Sequence, residues 1–147
     1  MASWGEVREH AAELAAAVEE RFTARKHHTI ATLRADGSPR ISGIEVQVDG
    51  QELTVGSMLG AVKARDLQRD PRFALHSATV DPPDDPTAWP GEAKLAGRVV
   101  AADGGDDAHI WRLDLAEVVL TRIDAAGEGL EITSWHAGRG VEVRRRS

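Results

Sequence analysis

The sequence contains no cysteine and no tyrosine, and it has only two phenylalanines and two methionines. Without cysteine, a disulfide framework and a thiolate metal site are both excluded. The four tryptophans are the main aromatic supply, so a ring-stacking site would depend on Trp, His or aliphatic side chains. No apolar stretch approaches the length of a membrane span. The first residues also lack the apolar core of a signal peptide, and we therefore expect a cytoplasmic location.

The remaining composition is that of an ordinary globular protein. The chain has 147 residues, of which 41% are hydrophobic and 29% charged. This length predicts a single domain over residues 1–147. The formal net charge is −6, which argues against nucleic acid as the main partner because phosphate binding needs a basic face.

The chain begins with a predicted amphipathic helix. Ser3 is its expected cap, with Glu6 three residues later as the capping-box partner. Its apolar face consists of residues spaced by three or four, namely Val7, Ala11, Leu14, Val18 and Phe22.

The hydrophobic period then changes from helical to alternating. Asp36-Gly37 and Asp49-Gly50 are turn dipeptides, and between and around them the pattern predicts an antiparallel meander of three strands. A short helix is predicted at residues 61–69. Four more strands are predicted at 73–79, 93–102, 117–123 and 130–135, with a proline-rich loop at 81–91. Further predictions are a loop over residues 103–107 and a solvated tail at Arg144–Arg146. The fold class is therefore mainly β (α+β), a small barrel of six or seven antiparallel strands with two or three helices.

One strand-loop-helix segment carries residues suited to an anion. A strand ends near Ser57, a Gly-containing loop follows, and a helix begins before Lys63. Free N–H groups at a helix start, a hydroxyl and a mobile ammonium together favour a phosphate. The alternative is that Ser57 merely caps the helix and Lys63 is solvated. The spacing is not that of a Walker loop.

Other polar residues fit structural roles. His27 and His28 are adjacent on an extended segment and point to opposite faces, so we expect no metal site there. Asp66 and Arg69 have the spacing of a helix-surface ion pair. No Ser-His-Asp or paired-carboxylate arrangement stands out, which is consistent with redox chemistry carried by a cofactor.

Three segments resemble known proteins. Residues 29–43, TIATLRADGSPRISG, resemble the opening hairpin of the pyridoxamine 5'-phosphate oxidase-like split barrels. Residues 63–72, KARDLQRDPR, resemble the helix after strand three in that superfamily, and residues 134–140, SWHAGRG, resemble a C-terminal segment of bacterial members. The oxidase itself carries a basic strand motif, whereas this chain has Arg40 to Glu45 in that place. The resemblance is therefore to the superfamily and not to that activity.

The resemblance implies an FMN-binding split β-barrel that forms a homodimer, with flavin mononucleotide or a deazaflavin bound between subunits. It implies that the lysine at position 63 contacts the phosphate and that residues 42–45 run beside the ring. Gly43 suits that role because glycine in a strand lets a flat ligand approach the backbone; a bulge or packing gap is the alternative. Trp135 is expected near the cofactor or the dimer partner. The implied cofactor-binding residues are Ser42, Gly43, Ile44, Glu45, Ser57, Met58, Lys63 and Trp135.

The expected activity is hydride transfer to or from a small planar substrate by a flavin- or deazaflavin-dependent oxidoreductase. One alternative is a non-catalytic protein that binds flavin, deazaflavin or haem, for which His76, His109 and His136 are candidate axial ligands. Another is a barrel dimer that has lost its cofactor.

Overall fold

The first helix of the chain is interrupted. The computed structural model describes residues 1–103 and 108–147, and in it α1 spans Trp4–His10 and α2 spans Ala12–Thr23. The Glu6 amide donates to the Ser3 hydroxyl at 3.2 Å, as predicted. The prediction of one continuous helix was wrong at Ala11, which leaves the helical conformation at φ −146° and ψ 58°. The spacing concealed this single-residue break, because both helices bury the predicted apolar face of Val7, Ala11, Leu14, Val18 and Phe22.

The described residues form eight antiparallel strands, with α3 after the third and a single 3-10 turn in the proline-rich loop. The sheet order is β3-β2-β1-β4-β5-β6-β7-β8, and an additional pairing between β3 and β6 closes the first six strands into a barrel. The fold class is thereby confirmed as a mainly β split barrel. The elements are β1 His27–Leu33, β2 Pro39–Asp49, β3 Glu52–Met58, α3 Val62–Arg69, β4 Arg72–His76, the 3-10 turn Pro86–Ala88, β5 Glu92–Ala102, β6 Ala108–Ile123, β7 Leu130–His136 and β8 Gly140–Arg146.

Two strand predictions were wrong. The predicted tail at Arg144–Arg146 is the end of β8, which pairs with β7 along its whole length. Three consecutive arginines hide the alternating pattern of this strand. β6 begins at Ala108, directly after the predicted loop, rather than at Glu117. The missed half of the strand has the alternating pattern of a half-buried strand, with Trp111, Leu113 and Leu115 buried. The predicted loop over residues 103–107 lies, apart from Asp103, outside the described residues.

The core fills the barrel and the space between the barrel and the first two helices. Trp4 of α1 and Phe22 of α2 are buried together with inward-facing strand residues such as Leu53, Leu95 and Leu113. Burying a large apolar side chain contributes about 1.5–3 kcal/mol, so this core is the main support of the strands that carry the site.

Candidate functional site

A cleft opens where β2 and β3 separate. The two strands pair only from Val46 with Val55 to Asp49 with Glu52. Before Val46, β2 remains paired with β1, whereas the last residues of β3 pair with β6. The separation leaves a cavity of about 430 Å³, within the range of roughly 300–1,000 Å³ typical of small-molecule sites.

Six of the eight predicted site residues line this cleft, namely Gly43, Ile44, Glu45, Ser57, Met58 and Lys63. Ser42 lies on the same strand without lining the cleft. Trp135 is buried on β7, where it pairs with Val118 and Val141. At 5% exposure its ring is part of the core, so the structure does not bring it to the other predicted residues.

Several lining residues were not predicted. Gln47 and Thr54 belong to the paired part of β2 and β3, and Ala108 and Ile110 come from β6. The β6 residues reach the cleft through the pairing of β3 with β6. No local sequence signal indicates this pairing, because the two strands are separated by α3, β4 and β5 along the chain.

Lys63 spans the mouth of the cleft. It lies in the first turn of α3, and its Nζ donates a hydrogen bond of 2.7 Å to the Gly43 carbonyl of β2. An ammonium has three N–H donors, so this contact leaves donors for a ligand. The alternative of a freely solvated Lys63 is therefore wrong.

Ser57 lines the cleft, and its hydroxyl is buried and unpaired among the described residues. Its side chain is 8% exposed, and its Oγ has no hydrogen-bond partner among the described residues. The alternative that Ser57 caps α3 is wrong, because the capping position is Ala61 and no side chain in residues 1–103 and 108–147 caps this helix. A buried hydroxyl without a partner costs about 1–3 kcal/mol, and a ligand that hydrogen-bonds to it would recover that cost.

The wall opposite Ser57 leaves room for a flat ligand. A methyl group added at Gly43 would meet no atom of the described residues within 4 Å, so the absent side chain leaves open space beside the backbone. Ile44 is buried next to it, while Met58 on the other lip is 79% exposed. The cleft thus combines a bare backbone edge with apolar side chains, an arrangement that suits a planar ring.

The charged groups of the cleft partly balance one another. Glu45 Oε1 lies 3.4 Å from His27 Nε2 across the β1–β2 pairing. Glu45 and Lys63 are the ionic side chains of the cleft lining, one of each sign. Lys63 is the group that favours an anionic part of a ligand.

The other histidines lie elsewhere. His28 is buried beneath α2, as the opposite-face prediction required, and its Nδ1 accepts from the Ala78 amide. His27 is the one histidine that lines the cleft among the residues the structure describes. The three candidate haem ligands are distributed over the sheet, His76 on β4, His109 beside Trp111 on β6, and His136 paired with Glu117.

A second cavity lies on the outer face of the barrel. This outer groove has a volume of about 290 Å³ and is lined mainly by apolar side chains of β1, β2, β4 and β5. Ile41, at its rim, is 74% exposed. An exposed apolar groove of this kind is typical of a surface that a partner covers.

Solved structures share this fold at low identity. PhzG from Burkholderia lata 383, in complex with tetrahydrophenazine-1-carboxylic acid, matches with a TM-score of 0.67 at 10% identity, over 97% of this chain and 92% of that chain. A pyridoxamine 5'-phosphate oxidase-related, FMN-binding protein from Nostoc punctiforme has a TM-score of 0.65 at 9% identity, over 93% and 96%. A haem-binding protein from Mycobacterium smegmatis has a TM-score of 0.54 at 18% identity, over 88% and 87%.

The sequence itself also matches a family. No curated protein is similar enough to match. The family model for pyridoxamine 5'-phosphate oxidase matches residues 14–123, a range that contains the barrel strands β1 to β6 and every residue lining the cleft. The predicted resemblance is confirmed, and the chain belongs to the pyridoxamine 5'-phosphate oxidase family.

Proposed function

We propose that this protein, acting as one unit over residues 1–147, binds flavin mononucleotide or a deazaflavin in the cleft between β2 and β3. It would use the ring for hydride transfer to or from a small planar substrate. The observation that carries the proposal is the unpaired, buried Ser57 hydroxyl in a cleft that Lys63 spans. Family membership and the FMN-binding relative from Nostoc punctiforme support it.

The cleft residues have distinct roles in this proposal. Lys63 would hold the phosphate, since an ammonium near an oxyanion gives a strong charge-assisted hydrogen bond. Ser57 would hydrogen-bond to the ligand, and Gly43 would let the ring lie against the strand, with Ile44 and Met58 limiting its contact with water. The bound cofactor would supply the hydride chemistry, and the protein would supply binding and orientation. Ser42 and Trp135 do not line the cleft and are left out of the proposed site.

The first test is a fluorescence titration of the apo-protein with flavin mononucleotide and with a deazaflavin. We expect saturable binding of one of them, and Lys63→Ala to weaken it about tenfold through loss of a charge-assisted hydrogen bond. Lys26→Ala removes an exposed lysine outside the cleft and is the matched control. Equal affinity of the Lys63→Ala variant and the parent protein would show that the phosphate is held elsewhere.

Ser57→Ala gives a second, independent readout. Because the Ser57 hydroxyl is buried and no described residue pairs with it, removing it should leave the free protein equally or more stable. The same change should weaken cofactor binding about fivefold to tenfold, since the ligand loses a hydrogen bond. Urea unfolding of the apo-protein and the titration measure the two effects. A loss of stability without a loss of affinity would mean that the hydroxyl has a structural role.

Haem is a second candidate for the same cleft. A neighbour from Mycobacterium smegmatis is a haem-binding protein, and the His27 imidazole lies at the cleft with 78% exposure of its side chain. This candidate corresponds to a cofactor-binding protein without turnover. A Soret band after addition of haemin, together with no flavin or deazaflavin binding, would favour it.

The outer groove supports a homodimer, because a second copy would cover Ile41 and the apolar floor beside it. The helices in the described part of the chain include none long and apolar enough to cross a membrane. A cytoplasmic location remains part of the proposal. Sedimentation equilibrium tests the dimer, and a single-chain mass would contradict it.

A further inference from the structure

Four arginines line a cavity on the side of α3 away from the cleft. The cavity lies between α3 and the β1–β2 hairpin and has a volume of about 450 Å³. It shares no lining residue with the cleft. We call it the arginine notch, and its charged residues are Arg34, Asp36, Arg40, Arg65, Asp66 and Arg69.

A buried carboxylate fixes the floor of the notch. The Asp66 side chain is 1% exposed and lies 2.8 Å from Arg40 Nε and 3.4 Å from Arg69 Nη2. The Thr32 hydroxyl also donates to Asp66, at 2.7 Å. Because Asp66 is anchored from the barrel side, the guanidinium groups of Arg40 and Arg69 are held in place before any ligand arrives.

Most of the guanidinium donors remain available. Arg40 uses Nε for Asp66, and Arg34 uses Nε for the Pro39 carbonyl at 3.4 Å. Arg65 is exposed, and its side chain makes no hydrogen bond or ion pair with the described part of the chain. A guanidinium has five N–H donors, so the arginine side chains of the notch retain several N–H groups that can donate to a ligand.

The charge of the notch is positive although the chain is acidic overall. Four arginines face two carboxylates. Asp66 is saturated by its three partners, and Asp36 accepts from both the amide and the hydroxyl of Ser38. A cluster of positive charge on a chain of net charge −6 concentrates the attraction for anions at one place.

We propose that the arginine notch is an anion-binding site for a phosphoryl-type oxyanion with two or more negative charges. Guanidinium forks match the oxygen spacing of phosphoryl groups, which favours such a ligand over a compact halide. A cavity of about 450 Å³ has room for a small anion or for the anionic end of a larger molecule. This inference does not depend on the proposed function, because the notch and the cleft have separate walls.

The test is a calorimetric titration with inorganic pyrophosphate alone, in about 50 mM salt, where screening is weak. We expect saturable binding that Arg65→Gln weakens about tenfold and that about 200 mM salt also weakens. Arg65 is suited to this test because its side chain has no partner to lose within the part of the chain that the structure describes. Arg139→Gln, in the exposed turn before β8, should bind as the parent protein does. Absence of saturable binding, or equal binding by the Arg65→Gln variant, would overturn the proposal.

A repeat with flavin mononucleotide at saturation separates two sources of the anion. Binding of pyrophosphate alongside the cofactor would support a site for a separate ligand. The cofactor could instead displace pyrophosphate from the parent protein and do so less effectively in the Arg65→Gln variant. That result would mean that the notch receives the phosphate end of the molecule bound in the cleft. Failure of both flavin mononucleotide and the deazaflavin to bind would refute the proposed function and leave the pyrophosphate result standing.

Discussion

Replacing Asp66 with alanine is expected to destabilise the protein by about 3 kcal/mol, because it removes one partner of a buried ion pair. Arg40, whose side chain is 24% exposed, would keep its charge without a partner, and the Thr32 hydroxyl would lose its acceptor. For a chain of this size the loss corresponds to a fall in Tm of about 10 °C. Differential scanning calorimetry and urea unfolding at neutral pH measure it.

The matched control is Asp70→Ala, one residue beyond α3. Asp70 also pairs with an arginine, with Arg72 Nη2 at 2.7 Å, but this pair lies at the surface and water screens it. We therefore expect a far smaller change. Equal losses for the two variants would mean that the burial of Asp66 contributes nothing to stability.

The same residue gives a pH dependence with a defined sign. Burial by itself raises the pKa of Asp66, but hydrogen bonds from Arg40 and Thr32 and the charges of Arg40 and Arg69 outweigh it, so the pKa lies below its ordinary value of 3.8. A carboxyl whose pKa is lower in the folded than in the unfolded protein stabilises the folded state at pH values above the unfolded pKa. This contribution is lost as the pH falls through the folded pKa. In the Asp66→Asn variant, the free energy of unfolding should therefore fall less steeply with decreasing pH below 3.8. An unchanged acid slope would contradict this account.

Replacing Gly43 with valine is expected to weaken cofactor binding about thirtyfold while leaving the apo-protein as stable as before. No described residue fills the space beside Gly43, since an added methyl group would meet none of their atoms within 4 Å. The apo-protein therefore tolerates the new side chain, and a β-branched residue also favours a strand. The bound ring would occupy the same space, and overpacking of this kind costs about 1–3 kcal/mol, which corresponds to roughly 5-fold to 150-fold in affinity.

Two further variants define the Gly43 result. Gly43→Ala fills less of the space and should give an intermediate affinity. Ser42→Ala, on the neighbouring residue that does not line the cleft, should bind as the parent protein does. Tight binding by the Gly43→Val variant would place the ring away from β2, and a loss with Ser42→Ala would extend the site beyond the cleft.

The sequence could predict what local spacing encodes. The turn dipeptides Asp36-Gly37 and Asp49-Gly50 predicted the positions of the first two hairpins. The strand-loop-helix pattern around Ser57 and Lys63 predicted the position of the cleft. These signals are local, because a turn dipeptide or a strand end is recognised from its immediate neighbours.

Features that depend on distant parts of the chain were not predicted. Asp66 was expected to form a surface pair with Arg69. Its burial depends on Thr32 of β1 and Arg40 of β2, which are distant from α3 along the chain but contact Asp66 in the fold. Ile110 lines the cleft only because β6 pairs with β3. The placement of Trp135 in the core likewise depends on β8, whose arginine-rich end gave no strand signal.

The arginines of β8 have a consequence for aggregation. β8 is the last strand of the sheet order, so its outer edge presents backbone groups with which another chain could pair. Val141 and Val143 on this strand are about half exposed, at 48% and 50%, and would attract such pairing. Arg144, Arg145 and Arg146 follow them directly, and charged residues beside an exposed apolar strand oppose edge-to-edge association. The arginines predicted as a solvated tail thus oppose edge-to-edge pairing between the sheets of separate molecules.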